Sequence, residues 1–126
     1  MTPHVLVVDD DTLYAESLVA VLEHDGRLDV VGQAADGREA VELALALLPD
    51  VVLMDIYMPV MDGLEATRCL LRSLPDTRVV LVTSSDLSDD RKSAARVGAH
   101  AFLRKEVGAE ALVEAALAAG LETVTR

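Results

Sequence analysis

The stretch DVVLMDIYMPVMDGLEA, residues 50–66, runs through four apolar residues, Val51 to Met54, stops at one carboxylate, Asp55, and continues into a loop punctuated by Pro59 and Gly63. A short apolar run without alternation reads as a strand covered on both faces, which is how strands of a parallel sheet sheathed by helices look. After the loop, Asp62 with Glu65 three residues on marks a helix start. The same grammar recurs on either side. VLVV at 5–8 ends at Asp9, Asp10 and Asp11, VVLVT at 79–83 ends at Thr83 and Ser84, and a shorter run before Arg104 ends at Lys105. Strands are expected over 4–8, 29–34, 50–54, 78–83 and 100–103, with the second more mixed and suited to an edge.

Between them lie helical patterns. The first should span 12–24 and bury Leu18, Val21 and Leu22. The second, opened by Asp36 and Glu39, should turn Ala40, Val41, Ala44 and Leu48 inward. A fourth should start near Ser88 with Asp89 and Asp90 in its first turn, where the helix dipole favours acids. The fifth should run from Ala109 to about Leu121, ending near Gly120, with Leu112, Ala116 and Ala119 toward the core and Val113 and Leu117 available to a partner. Strands alternating with helices in this way imply an α/β fold, a doubly wound parallel sheet with right-handed crossovers.

Composition bounds the possibilities. The chain has 126 residues, 52% of them apolar, enough for one core and one domain. Eleven basic against 22 acidic side chains leave a formal charge of −11. Without a basic run the chain offers no surface for nucleic acid or an anionic membrane. The start MTPHVLVVDDD reads neither as a signal peptide nor as a span, so the cytoplasm is the expected location. Cys69 is single and best taken as a small apolar helix residue. His4, His24 and His100 lack metal-ligand spacing, and Met54, Met58 and Met61 suit core and loop packing.

In a doubly wound sheet the chemistry sits beyond the carboxyl ends of the strands. Asp9, Asp10, Asp11, Asp55, Thr83, Ser84 and Lys105 all fall on that edge. One aspartate there would be an ordinary loop residue; coincident placements after four strands point to a site. Crowded carboxylates need a hard dication or protons, and Mg²⁺ fits oxygen ligands shared with a phosphate. A carboxylate so placed can act as nucleophile toward a phosphoryl group, with the lysine and hydroxyl taking up charge.

The motifs VLVVDDD at 5–11, ADG at 35–37, DVVLMDIYMPVMDGLEA at 50–66, VVLVTSSD at 79–86 and GAHAFLRKE at 98–106 resemble the CheY-like receiver domain of bacterial two-component response regulators, over residues 4–121 of a single domain spanning 1–126. The resemblance implies a flavodoxin-like (βα)5 fold of strand order 2-1-3-4-5 and phosphorylation by a sensor histidine kinase. It implies Asp55 as phosphoacceptor, and Mg²⁺ held by Asp10, Asp55 and the Tyr57 carbonyl, with Asp9 assisting through water. Lys105 would pair with the phosphoryl group, and Thr83 and Phe102 would form the switch. Tyr57 and Ser85 would tune phosphate lifetime, with the bulk of Tyr57 hindering water. Asp11 has no such counterpart and reads, with Thr12, as the first helix cap.

Two positions depart from the commonest pattern. Glu106 stands where many receivers have proline, so no cis peptide is expected there, and Phe102 has no phenol, which makes any switch one of packing. The sequence resembles receivers of LuxR/NarL-type transcriptional regulators, with homodimerisation or control of a DNA-binding domain as the expected output. That output domain is not expected within this chain, so a stand-alone protein-interaction receiver is an alternative to part of a transcription factor. A haloacid-dehalogenase-type phosphatase using Asp9 is a further alternative, disfavoured because no aspartate follows Lys105 and Asp55 would have no role. A flavin module is weaker, with three aromatics and no phosphate loop.

Overall fold

The computed structural model describes residues 2–84 and 88–124. Five strands, β1 (His4–Val8), β2 (Asp29–Ala34), β3 (Val51–Met54), β4 (Arg78–Thr83) and β5 (Ala101–Arg104), alternate with α1 (Thr12–Asp25), α2 (Gly37–Leu47), α3 (Gly63–Ser73), α4 (Ser88–Arg96) and α5 (Ala109–Val124). The sheet is parallel throughout in the order β2-β1-β3-β4-β5, so the winding reverses between β1 and β3. Among the described residues no helix is long and apolar enough to cross a membrane.

Continuous apolar strands have a simple cause. Successive side chains of a strand point to opposite faces, and here each face is covered. Val5, Val7, Val51, Leu53, Val80 and Val82 pack with α1 and α5, whereas Leu6, Val8, Val52, Met54, Val79 and Leu81 pack with α2, α3 and α4. Truncating one of the large members to alanine costs about 2–5 kcal/mol. The edge strand β2 is only partly buried, which explains its mixed composition.

Helix starts follow their caps. Asp11, Asp36 and Asp62 accept hydrogen bonds from the amides of Tyr14, Glu39 and Glu65, and Glu39 returns a bond by accepting from Ala35 N. Some expectations fail. Val21 is exposed because Leu18 and Leu22 already fill the α1 seam, and Leu48 is the left-handed cap of α2, 62% exposed. α5 does not end near Gly120; it runs to Val124, and Gly120 is a helix-interior site where an added Cβ would lie 2.6 Å from Pro3 Cβ. Val113 is buried in the core and Leu117 packs against it, so neither extends a docking face. β3 and β5 each begin one residue later than expected.

No described peptide bond is cis. Val60, in the loop between β3 and α3, has φ +70° and is 77% exposed, a left-handed conformation that a β-branched side chain adopts at a cost. Val60→Gly is expected to raise stability by about 0.5–1 kcal/mol, because relief of that strain exceeds the added unfolded-state entropy. Chemical denaturation of the two proteins measures the difference.

Candidate functional site

Three strand ends bring the reactive groups together at the point where the winding reverses. The ladders continue past the strands, with Asp9 N donating to Ala34 O and Asp55 N to Val8 O, both at 3.0 Å, so each acid is held by the sheet itself. Lys105 opens a 3-10 turn, Lys105–Val107, at the end of β5. That strand lies two places from β3, roughly 10 Å away, and only a long side chain spans the gap.

Lys105 Nζ lies 2.7 Å from Asp9 Oδ2 and 3.3 Å from Asp55 Oδ2. The second oxygens are also held: Asp9 Oδ1 accepts from Asp11 N at 2.9 Å, and Asp55 Oδ1 from Ile56 N at 2.7 Å. Asp9 and Asp55 are buried, and Asp10 is exposed. Ligand atoms of Asp9, Asp10 and Asp55 all lie within 4.8 Å of one another. Three carboxylates against one ammonium leave two net negative charges, which a divalent cation would offset. The donors are all hard oxygens, so the set suits Mg²⁺.

Burial raises the Asp55 carboxyl above the ordinary carboxylate range; the Lys105 charge opposes this, and Asp9 adds to it. For Lys105, burial pulls downward, but the Asp9 hydrogen bond and both carboxylate charges outweigh it and hold the ammonium above the usual lysine value.

Thr83 is buried at the end of β4, and with Ser84, Arg104, Lys105 and Glu106 it lines a cleft of about 80 Å³. Phe102 is partly buried, with the Arg91 guanidinium 4.9 Å from its ring centre. Tyr57 is half exposed and its hydroxyl donates to Asp90 Oδ1 and Oδ2 at 2.8 and 3.0 Å. Ser85 lies outside the described residues. Asp11 caps α1, as expected from the sequence. Gly37 and Gly63 close the acceptor loop: Gly37 N donates to Met61 O and Gly63 N to Ile56 O. A Cβ at either glycine would strike backbone, that of Met61 or of Asp55.

Sequence reasoning missed three neighbours. The Tyr14 ring lies 4.3 Å from Lys105 Nζ, and burial raises its phenol pKa, with Lys105 opposing. Asp90 and Arg91 complete the list. From the sequence Asp90 reads only as a first-turn acid of α4, and no spacing along the chain brings Tyr14 or Arg91 to the site. A concavity of about 420 Å³ between α1 and α5 lies away from Asp9, Asp10 and Asp55.

The sequence profile of the response regulator receiver domain matches residues 5–117. The chain belongs to that family. It is a phosphorylation-activated signalling receiver, similar to those of LuxR/NarL-type two-component regulators. It is 39% identical over 113 residues to a probable transcriptional regulatory protein NarL of Mycobacterium tuberculosis, covering 90% of this chain and 52% of that protein. It is 39% identical over 115 residues to the transcriptional regulatory protein LiaR of Bacillus subtilis, covering 91% and 54%. The solved signal receiver domain of the M. tuberculosis NarL superposes with a TM-score of 0.89 at 38% identity, covering 94% of this chain and 96% of that one. The receiver thus spans about half the length of these curated relatives. The matched family is that of receivers, not that of haloacid-dehalogenase-type phosphatases.

Because burial raises the Asp55 pKa, the folded receiver holds that proton more tightly than the unfolded chain. The resulting destabilisation is absent below the unfolded-chain pKa, develops as pH rises to the raised value, and persists above it. Asp55→Asn is therefore expected to raise the melting temperature at neutral pH and to lose that advantage in acid. Thermal denaturation of both proteins from about pH 3 to pH 8 measures this.

Proposed function

We propose that Asp55 accepts a phosphoryl group from a sensor histidine kinase. The observation that carries this reading is the Lys105 ammonium held between Asp9 and Asp55, with Asp10 in reach of both. Asp55 Oδ2 attacks phosphorus as the bond to the donor nitrogen breaks, and Lys105 is placed to leave its Asp9 contact for a phosphoryl oxygen. Asp10, Asp55 and the Tyr57 carbonyl would hold Mg²⁺, with Asp9 assisting through water. When bound, the ion neutralises charge on the phosphoryl oxygens.

Thr83, at the neighbouring strand end, hydrogen-bonds the modified group, and Phe102 repacks in response. Phosphorylation adds about −1.5 to −2 charges at the rim, enough to bias a two-state surface. That surface controls homodimerisation or an output domain. The relatives are about twice as long and are named transcriptional regulators, which supports a DNA-binding domain carried elsewhere in the protein. The receiver itself, acidic and without a basic patch, contacts neither DNA nor membrane and works in the cytoplasm. Its only chemistry is its own phosphorylation and dephosphorylation, at a rate tuned by Tyr57 and Ser85, and residues 1–126 form a single receiver domain.

Incubation with acetyl phosphate and Mg²⁺ is expected to add one phosphoryl group to Asp55, read by intact-mass and peptide mass spectrometry. Asp55→Asn and omission of Mg²⁺ should abolish the gain. Label trapped on Asp9, with phosphate turned over, would overturn the reading.

A further inference from the structure

We propose that Asp90, on α4, is a positioning residue for the phosphoryl chemistry: it holds the Tyr57 phenol so that the ring lies across the rim beside Asp55 and slows hydrolysis of the aspartyl phosphate. The proposal rests on Asp55 being the acceptor.

Tyr57 follows Asp55 by two residues in a loop whose backbone is closed by the 2.7 Å bond from Gly63 N to Ile56 O. Its ring is 49% exposed, so apolar burial alone does little to fix its direction. The far end is fixed by chemistry instead, since the hydroxyl donates to both oxygens of Asp90 at 2.8 and 3.0 Å. Asp90 is 6% exposed, although it is one of two acids in the first turn of a helix whose other acid there, Asp89, is exposed. A buried carboxylate needs donors and compensating charge. The helix N-terminus and the Tyr57 phenol supply them.

The path of this contact matters. Tyr57 stands on the loop after β3, and α4 follows β4; the two strands pair with Met54 opposite Leu81. The contact therefore ties the loop that follows Asp55 to the helix that follows Thr83, on either side of the corner between the two strand ends. The adjacent Arg91 stacks on Phe102 at 4.9 Å, so the turn that carries Asp90 is itself pinned to β5.

In hydrolysis a water oxygen attacks phosphorus, the bond between phosphorus and Asp55 Oδ2 breaks, the carboxylate is regenerated, and inorganic phosphate leaves with the water's remaining proton going to solvent. A ring pinned over that corner restricts the approach of water. A ring released by loss of Asp90 is free to turn into solvent.

The test loads wild type, Tyr57→Phe, Asp90→Asn, Asp90→Ala and the double variant Tyr57→Phe/Asp90→Ala with acetyl phosphate and Mg²⁺, removes the donor, and follows loss of the phosphoryl group by intact mass. Tyr57→Phe and Asp90→Ala should lose it about threefold faster or more, and Asp90→Asn, whose amide oxygen still accepts the phenol proton, should stay within about twofold of wild type. The double variant should be no faster than the faster single one. Unchanged lifetimes in Tyr57→Phe, or effects that multiply in the double variant, would overturn the proposal. If Asp90→Ala does not fold, Tyr57→Phe against Asp90→Asn decides alone. Failure of wild type to load would overturn the acceptor reading itself, and the proposal with it.

Discussion

The ammonium of Lys105, lying between Asp9 and Asp55, is the constraint on which the rest of the molecule depends. Two buried carboxylates at adjacent strand ends repel each other in a medium that screens charge poorly. Without a cation between them, the β1 and β3 ends would be pushed apart or protonated. The cation comes from β5, at the far edge of the sheet. Its placement therefore requires the whole order from β1 through β3 and β4 to β5.

That arrangement leaves the site unbalanced by design of its charges. Asp10 is not part of the lysine contact, and the cluster retains a net negative charge that favours a dication from solvent. The lysine then has two roles. It keeps the carboxylates together when no ion is bound, and it stands ready as a counter-charge when an anionic group arrives. The Tyr14 face beneath it, at 4.3 Å, gives the ammonium a further favourable surface.

The strands were legible because double burial erases polar residues from β1, β3 and β4, leaving runs that end at Asp9, Asp55 and Thr83. Caps were legible for a local reason: an aspartate and the amide three residues on belong to the same turn. Angular placement on helices was harder. Val21 and Leu48 are apolar but exposed, because neighbouring leucines occupy the seam in one case and the backbone has already left the helix in the other. Gly120 carried the signal of a helix end, yet its cause is the close approach of Pro3. Tyr14, Asp90 and Arg91 were hidden because their partners come from distant segments, and no spacing along the chain encodes such a meeting. At the site, the strand-end rule located Asp9, Asp10, Asp55, Thr83 and Lys105, whereas what surrounds them had to be seen in three dimensions.

The composition of α4 has a separate consequence. In SDDRKSAAR, Ala94 is the apolar side chain buried in the core, and the helix is otherwise tied down by Asp90 to Tyr57 and by Arg91 to Phe102. The free energy of sub-global opening follows the apolar contact a segment makes. α4 therefore sits low on the ladder of local unfolding, well below β1, β3 and their flanking helices. The amides of α4 are thus expected to exchange with solvent ahead of those of the central strands, with the Tyr57 and Phe102 contacts as the polar ties that hold the helix between openings.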